Sequence, residues 1–200
     1  MASTADFLRL LPSAVAQARA AGAFIDVWSV AGLGRQEVRT TAVLGWLLDA
    51  RGTHGLGDVI LGGLLDSLTL RGYRGPDRKS LAAGYSVRKE FCAFGERENR
   101  LDLVVEGREF LLIFEVKIDA PEGHDQLERY IRVARRKAGM RNWHILYVTQ
   151  TRPKEERDGV THLRWQDVAR AIRQATADCE CGALGVRLAA SFADHVQRLH

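Results

Sequence analysis

The chain has 200 residues, of which 46% are hydrophobic and 27% charged, a composition that excludes disordered, collagen-like and membrane-embedded classes of protein. Its 29 lysines and arginines outweigh 25 aspartates and glutamates to give a net charge of +4, and only five of the basic residues are lysine. The apolar runs are far shorter than the ~20 residues of a membrane helix, the N-terminal stretch carries Asp6 and Arg9, and the three cysteines are odd in number. We therefore expect a cytoplasmic protein with free thiols and no membrane contact.

The first third of the chain has helical periodicity. Apolar residues at spacings of three and four predict helices over residues 5–21, 36–49 and 58–70. Pro12 falls near the first turns of the first helix or splits it. The polar segment 71–78, which is rich in glycine and arginine, predicts a loop that ends this helical part.

The periodicity then changes from helical to extended. Residues 85–94, 100–106 and 109–118 read as three strands, and a two-residue turn at Gly107-Arg108 would join the second to the third. The third strand is apolar on both alternating sets of positions, apart from its end. That pattern predicts a central strand covered on both faces.

The remainder of the chain alternates between helical and extended periodicity. An amphipathic helix over residues 125–138, a buried strand over 143–150 and a charged loop over 152–159 are followed by helices at 165–177 and 184–199. Helices, three strands, a helix, a strand and helices in this order predict an α/β fold with a mixed central sheet flanked by helices.

We expect residues 1–200 to form a single domain. Its parts would be a helical N-terminal segment at 1–80, a sheet core at 81–165 and C-terminal helices at 166–200. A chain of this length buries enough surface to fold without a disulfide or a structural metal.

Charged residues interrupt two of the predicted strands. Glu115 and Lys117 are two residues apart, so in a strand they project from the same face. With the turn at Gly107-Arg108, Asp102 would lie opposite Ile113, on that same face and diagonal to Glu115. We expect the two carboxylates to come within reach of one metal ion.

These residue types fit metal-assisted chemistry. Two converging carboxylates in an apolar sheet repel each other unless a cation neutralises them, and Mg²⁺ prefers oxygen ligands. Lys117 is informative because the chain otherwise favours arginine, and a compact ammonium can hold a water or stabilise charge on a phosphate. The alternative is a structural salt-bridge cluster at the end of a strand.

An aspartate in one strand followed by Glu-x-Lys in the next, within α-β-β-β-α-β order, resembles the PD-(D/E)XK, or restriction-endonuclease-like, nuclease superfamily. Residues 37–57, 114–121 and 126–130 are similar to an uncharacterised bacterial branch of it, and the resemblance covers roughly residues 35–165. Val116 departs from that branch, which more often carries asparagine there. The resemblance implies a restriction-endonuclease-like core with extra N- and C-terminal helices.

The resemblance also implies roles for individual residues. Asp102 and Glu115, with the backbone carbonyl of Val116, would bind Mg²⁺ or Mn²⁺, and Lys117 would position or activate the attacking water. The carbonyl of residue 116 is available whatever its side chain, so the departure at this position changes little.

Two further site residues follow from the same resemblance. Glu37 would supply an additional carboxylate from the preceding helix, and Gln126 would orient substrate or water. Glu37 shares a helical stripe with Thr41 and Leu44, which predicts that it faces inward. The alternative for Glu37 is an acidic first-turn residue that complements the helix dipole.

Arg129, Arg132 and Arg136 form a basic stripe on the helix after the motif, with Arg135, Lys137 and Arg141 beside it. We predict that the stripe contacts phosphates of a nucleic acid. A solvated helix face is the alternative.

We therefore expect an Mg²⁺-dependent endonuclease acting on DNA, and the resemblance implies a role in bacterial antiviral defence or DNA processing. A non-catalytic nucleic-acid-binding or assembly module on the same fold, or an RNA-directed nuclease, remains open. A homodimer or a larger defence complex also remains open, because cutting two strands takes two active sites.

Overall fold

A five-stranded mixed sheet with helices on both faces forms the centre of the computed structural model. The structure describes residues 4–70, 72–92, 100–119, 124–151, 157–180 and 183–199. The strands are β1 (Tyr85–Cys92), β2 (Arg100–Gly107), β3 (Phe110–Val116), β4 (Asn142–Thr149) and β5 (Val160–Arg164). The helices are α1 (Thr4–Ala20), α2 (Val27–Val30), α3 (Glu37–Leu48), α4 (Val59–Thr69), α5 (His124–Ala138), α6 (Trp165–Ala175) and α7 (Leu184–Gln197).

The strands follow one another across the sheet in chain order. β1, β2 and β3 are antiparallel, whereas β3, β4 and β5 are parallel. β3 is the middle strand, and all seven of its residues are buried. The mixed sheet and its central, doubly covered strand are confirmed.

Each face of the sheet has its own apolar core. On one face, Leu112 and Phe114 of β3 pack with buried residues of α3, α4, α6 and α7, including Phe192. On the other face, Ile113 packs beneath α5, whose apolar side includes Tyr130. Because side chains alternate along β3, every second one faces α5, and Glu115 is one of these.

The long helices and strands lie within a few residues of their predicted bounds. Pro12 lies inside α1 and does not split it. The predicted end of the first strand, at residues 93 and 94, and most of the charged loop at 152–159 lie outside the described residues. No helix in the described part of the chain is long and apolar enough to cross a membrane.

The predicted register of the β2–β3 hairpin was wrong. The turn residues are Arg108 and Glu109, one position later than predicted, and Leu103 pairs with Phe114, which places Val104 rather than Asp102 opposite Ile113. Gly107 is the last residue of β2, and a larger residue would not fit there, because a Cβ would lie 2.2 Å from the ring of the buried Phe110. The register differs by two residues, so the same side chains still share each face.

Three short elements were missed. β5 is a five-residue edge strand with polar residues among its apolar ones, and α2 has only four residues, so neither gives a clear periodic signal. The predicted loop at 71–78 ends in a 3₁₀ helix over Arg78–Ala83, where Asp77 accepts a hydrogen bond from the Ser80 N–H at 3.0 Å. Such local capping starts a short helix without an apolar stripe.

Candidate active site

The sheet opens between β2 and β3 at the position of Asp102. Backbone pairing of the two strands ends at Leu103 and Phe114. One residue further, Asp102 accepts the Val116 N–H through its carboxylate at 3.0 Å, so a side chain takes the place of a backbone partner. Continuing the register places Asp102 opposite Glu115, and the two acidic side chains share the face beneath α5.

Glu115 is the most buried acidic group of the site, with no exposed side-chain surface. Its Oε1 is 2.7 Å from Lys117 Nζ and accepts a 2.9 Å hydrogen bond from Gln126 Nε2. Its Oε2 is buried, and no donor in the described part of the chain reaches it. Because a buried polar atom left unpaired costs free energy, this oxygen marks a position where the site is incomplete.

The electrostatics of the pair follow from its burial. Burial, reinforced by the negative charge of Asp102, raises the pKa of Glu115 to about 8, while Lys117 opposes this rise. Burial alone would lower the pKa of Lys117, but Glu115, Asp102 and Glu37 outweigh it and raise that pKa. Lys117 is therefore a cation among carboxylates.

The backbone around Lys117 is fixed on several sides. Its N–H donates to the carbonyl of Val148 on β4 at 2.8 Å, and its carbonyl accepts from the indole N–H of Trp165 at 3.2 Å. Trp165, the first residue of α6, was not predicted as a site residue. The anchoring holds the lysine at the end of the central strand.

Glu37 reaches the same strand end from the other face of the sheet. It is the first residue of α3, and its Oε2 accepts the Ile118 N–H at 3.2 Å. Its Oε1 lies 3.5 Å from Lys117 Nζ. The structure thus brings Glu37 to Lys117, which a role confined to the helix dipole would not require.

Gln126 and Tyr130 lie one turn apart on α5. The Gln126 amide donates to Glu115 and also to the Tyr130 hydroxyl, at 2.8 Å. Burial, together with the charge of Glu115, raises the pKa of Tyr130. Sequence reasoning placed Tyr130 in the apolar stripe only; its spacing of four from Gln126 was the signal that could have marked it.

Asp102, Glu115 and the carbonyl of Val116 are the groups that could hold a metal ion. Within the described ranges, no group of three or more His, Cys, Asp and Glu side chains could hold one. The Val116 N–H points to Asp102, and in a strand the carbonyl of the same residue points to the same side. These oxygen donors, with the unpaired Oε2 of Glu115, fit a hard cation such as Mg²⁺.

The basic stripe is less uniform than predicted. Arg132 and Arg136 are exposed on α5, whereas Arg129 is partly buried, with a buried Nε that has no partner and a guanidinium 5.4 Å from the Tyr130 ring centroid. Arg129 thus lies close to the site residues on α5.

Two basic residues expected beside the stripe are engaged elsewhere. Lys137 and Arg141 contact the carboxylate of Glu106 on β2, at 3.2 Å and 2.9 Å. Their charge is therefore partly neutralised within the protein.

A family model described as the PD-(D/E)XK nuclease superfamily matches residues 25–181, more than half of the chain. This chain belongs to the PD-(D/E)XK nuclease superfamily. The resemblance drawn from its motifs is confirmed, and α1 lies outside the matched range.

Among solved structures, this superfamily member is similar to the small subunit (R.BspD6I2) of the heterodimeric restriction endonuclease R.BspD6I. The sequence identity is 12% and the TM-score 0.31, over 68% of this chain and 94% of that one. No curated protein sequence matches it.

Proposed function

We propose that this PD-(D/E)XK protein is an endonuclease that uses Mg²⁺ or Mn²⁺ to hydrolyse phosphodiester bonds of DNA. The observation that carries the proposal is the unpaired, fully buried Oε2 of Glu115, on the same sheet face as Asp102 and next to the Lys117 ammonium. Without a cation, the buried Glu115 keeps a proton up to a pKa of about 8 and can share it with the neighbouring Asp102. A divalent ion would instead hold both carboxylates in their charged form.

Asp102, Glu115 and the Val116 carbonyl would hold the cation. A bound divalent ion lowers the pKa of a coordinated water and neutralises charge on the phosphate. Asp102 is held in place by the Val116 N–H, so its second oxygen is oriented before any ligand arrives. This orientation reduces the cost of assembling the site.

Lys117 keeps its proton and would hold the attacking water or stabilise the charge that develops on the phosphate. Glu37 would orient the ammonium from the start of α3, and Gln126 would fix the Glu115 carboxylate through its Oε1. With Oε1 occupied by two donors, Oε2 is the oxygen left for a cation.

The exposed arginines support a nucleic acid as the partner. Arg132 and Arg136 continue along α5 away from Gln126, so a phosphate backbone at the site could extend over them. Arg129 would contribute near the site itself. We propose a cytoplasmic role in antiviral defence or DNA processing, and a homodimer or a larger defence complex would supply the second site for two-strand cleavage.

The activity is tested with plasmid, linear duplex, single-stranded DNA and RNA, each with Mg²⁺, Mn²⁺ or a chelator. Wild-type protein should cut DNA only with a divalent ion, and Glu115→Gln and Lys117→Ala should not cut. Arg173→Gln, on α6, is the matched control and should remain active. Cleavage that persists in both site variants would exclude this site as the catalytic centre.

A non-catalytic nucleic-acid-binding module is the second candidate. It is favoured by the contacts of Lys117 with Glu115 and Glu37, which offset the charge of these carboxylates without a metal ion. Calorimetric titration with Mn²⁺ separates the two candidates: binding lost in Glu115→Gln supports the nuclease, whereas DNA binding without any divalent site supports the module. Cutting of RNA alone would identify an RNA-directed nuclease.

A further inference from the structure

Arg35 and Asp119 form an ion pair next to the candidate active site. Arg35 Nε donates to Asp119 Oδ1 at 2.9 Å and to Oδ2 at 3.1 Å, and its terminal nitrogen also contacts Oδ1. Two nitrogens of the guanidinium thus contact the same carboxylate. A phosphate group presents oxygens to arginine in a similar way.

The pair sits between the two elements that carry the catalytic candidates. Arg35 is two residues before Glu37, and Asp119 is two residues after Lys117, while Glu37 and Lys117 contact each other. The guanidinium therefore lies at the edge of the candidate active site.

The charge balance of the site calls for an additional cation when a polyanion binds. The site brings together three acidic side chains, those of Asp102, Glu115 and Glu37. Lys117 contributes one ammonium to this group. A divalent metal ion together with Lys117 would balance these three carboxylates. The phosphates on either side of the scissile one would then lack a cationic partner unless an arginine at this edge faces them.

We propose that Arg35 binds a phosphate of the substrate, and that Asp119 holds the guanidinium in place in the free protein and is replaced by that phosphate. This inference rests on the proposed nuclease function. The exchange costs little because Arg35 and Asp119 are 41% and 60% exposed, and exposed ion pairs contribute little to stability. In the free protein the carboxylate occupies the position that the phosphate would take.

The two residues of the pair should then affect nucleic-acid binding in opposite directions. Arg35→Gln removes a phosphate contact, so affinity should fall roughly three- to tenfold and the salt slope by about one. Asp119→Asn removes the competitor, so affinity should rise by a smaller factor, roughly two- to fivefold, which matches the modest stability of an exposed ion pair. The double variant should bind as weakly as Arg35→Gln alone, because without Arg35 the carboxylate has nothing to compete for.

The chain supplies a matched control in Arg173 and Asp194. This pair joins α6 to α7, has a 2.6 Å contact and is 39% and 59% exposed, nearly the same as the proposed pair. Arg173→Gln and Asp194→Asn therefore make identical changes in net charge at a different place. They should change affinity much less than the corresponding Arg35 and Asp119 variants.

Binding is measured by fluorescence anisotropy of a labelled duplex and a labelled single strand, in chelator and over a series of salt concentrations. Chelator prevents cleavage, so affinity is read separately from activity, and melting curves establish that each variant is folded. Opposite shifts for Arg35→Gln and Asp119→Asn, beyond those of the control pair, are the expected result.

Other outcomes overturn the inference in distinguishable ways. If both variants lose cleavage while binding matches the controls, the pair only braces the start of α3 against the end of β3. If wild-type protein cuts DNA with Mg²⁺ but all four variants bind alike, the proposed function stands and the role of Arg35 is wrong. If wild-type protein neither binds nor cuts a nucleic acid, both proposals are wrong.

Discussion

At the scale of single residues, the site is organised around one carboxylate with two different oxygens. Glu115 Oε1 contacts Lys117 and Gln126, whereas no donor among the described residues reaches the buried Oε2. Both features follow from placing a glutamate in the middle strand of a covered sheet. The same placement makes its protonation depend on folding.

We expect the stability of the metal-free protein to report the raised pKa of Glu115. Its folded pKa of about 8 lies above the ordinary value of 4.5, so between these pH values the folded state holds a proton that the unfolded chain releases. The free energy of unfolding should therefore fall as pH rises through this window. Glu115→Gln, which cannot ionise, should lack this part of the decrease.

The measurement is urea unfolding of both proteins in chelator across that range. Burial lowers the pKa of His144 and of His162 to about 4, but both proteins share these groups, so they cancel in the difference. Parallel stability curves for wild type and Glu115→Gln would show that Glu115 titrates normally.

Tyr130→Phe tests whether the Tyr130 hydroxyl helps Gln126 to position the Glu115 carboxylate. Removing the hydroxyl frees the Gln126 amide from one of its two acceptors, so we expect kcat to fall roughly tenfold, with KM little changed. Tyr73→Phe is the matched control, because the Tyr73 hydroxyl is buried and makes no hydrogen bond with any described residue. Its loss should not reduce stability or activity. Equal steady-state kinetics for the two variants would contradict a role for Tyr130.

At the scale of secondary-structure elements, the distance at which helices pack against their neighbours depends on single glycines. Glycines let α4 and α7 approach their neighbours: a Cβ on Gly185 of α7 would lie 1.9 Å from the carbonyl oxygen of His54. His54 is itself fixed, since it contacts the Asp49 carbonyl at 2.9 Å and accepts the Leu56 N–H at 2.9 Å. The loop after α3 thus packs directly against the first turn of α7.

Gly185→Ala should destabilise the protein by about 1–3 kcal/mol, because a backbone oxygen held by its own loop cannot move aside. Gly62→Ala on α4 is the comparison: a Cβ there would meet the Arg78 guanidinium, the mobile end of a half-exposed side chain. That variant should be neutral or gain up to about 1 kcal/mol from helix propensity. Equal unfolding midpoints for the two variants would contradict this account of α7 packing.

At the scale of the whole molecule, the mixed sheet brings distant segments to one edge. Asp102 comes from β2, Glu115 and Lys117 come from β3 or directly follow it, Glu37 begins α3, and Gln126 lies on α5. Their contacts form where β2 and β3 separate and where α3 and α5 reach the same strand end from opposite faces. The surface of α5 then leads away from this point.

Charge reversal on α5 tests that surface. Arg132→Glu with Arg136→Glu should weaken DNA binding and reduce the salt slope by about two, since each arginine would lose one phosphate contact. Arg9→Glu with Arg19→Glu reverses two exposed arginines on α1 and should have a smaller effect. Equal affinities and slopes for the two double variants would show that α5 presents a merely solvated face.

The amino-acid sequence determined the elements and the residues of interest. Apolar periodicity is a local property, so the long helices, the central strand and the same-face relation of Glu115 and Lys117 could be predicted from it. The Glu-x-Lys motif in that strand, together with Asp102 in the preceding strand, the order of the elements and the similar segments around them, indicated the superfamily. Short elements such as α2 and β5 could not be predicted because too few residues carry the pattern.

Only the tertiary structure decided the hairpin register, the contact of Glu37 with the end of β3, and the burial that leaves Glu115 Oε2 unpaired. It also revealed Tyr130 behind Gln126 and the pairing of Arg35 with Asp119, residues 84 positions apart. These features depend on how turns, helices and strands pack against one another over long sequence separations. A periodic pattern specifies which face a side chain occupies, whereas packing specifies which partner it meets there.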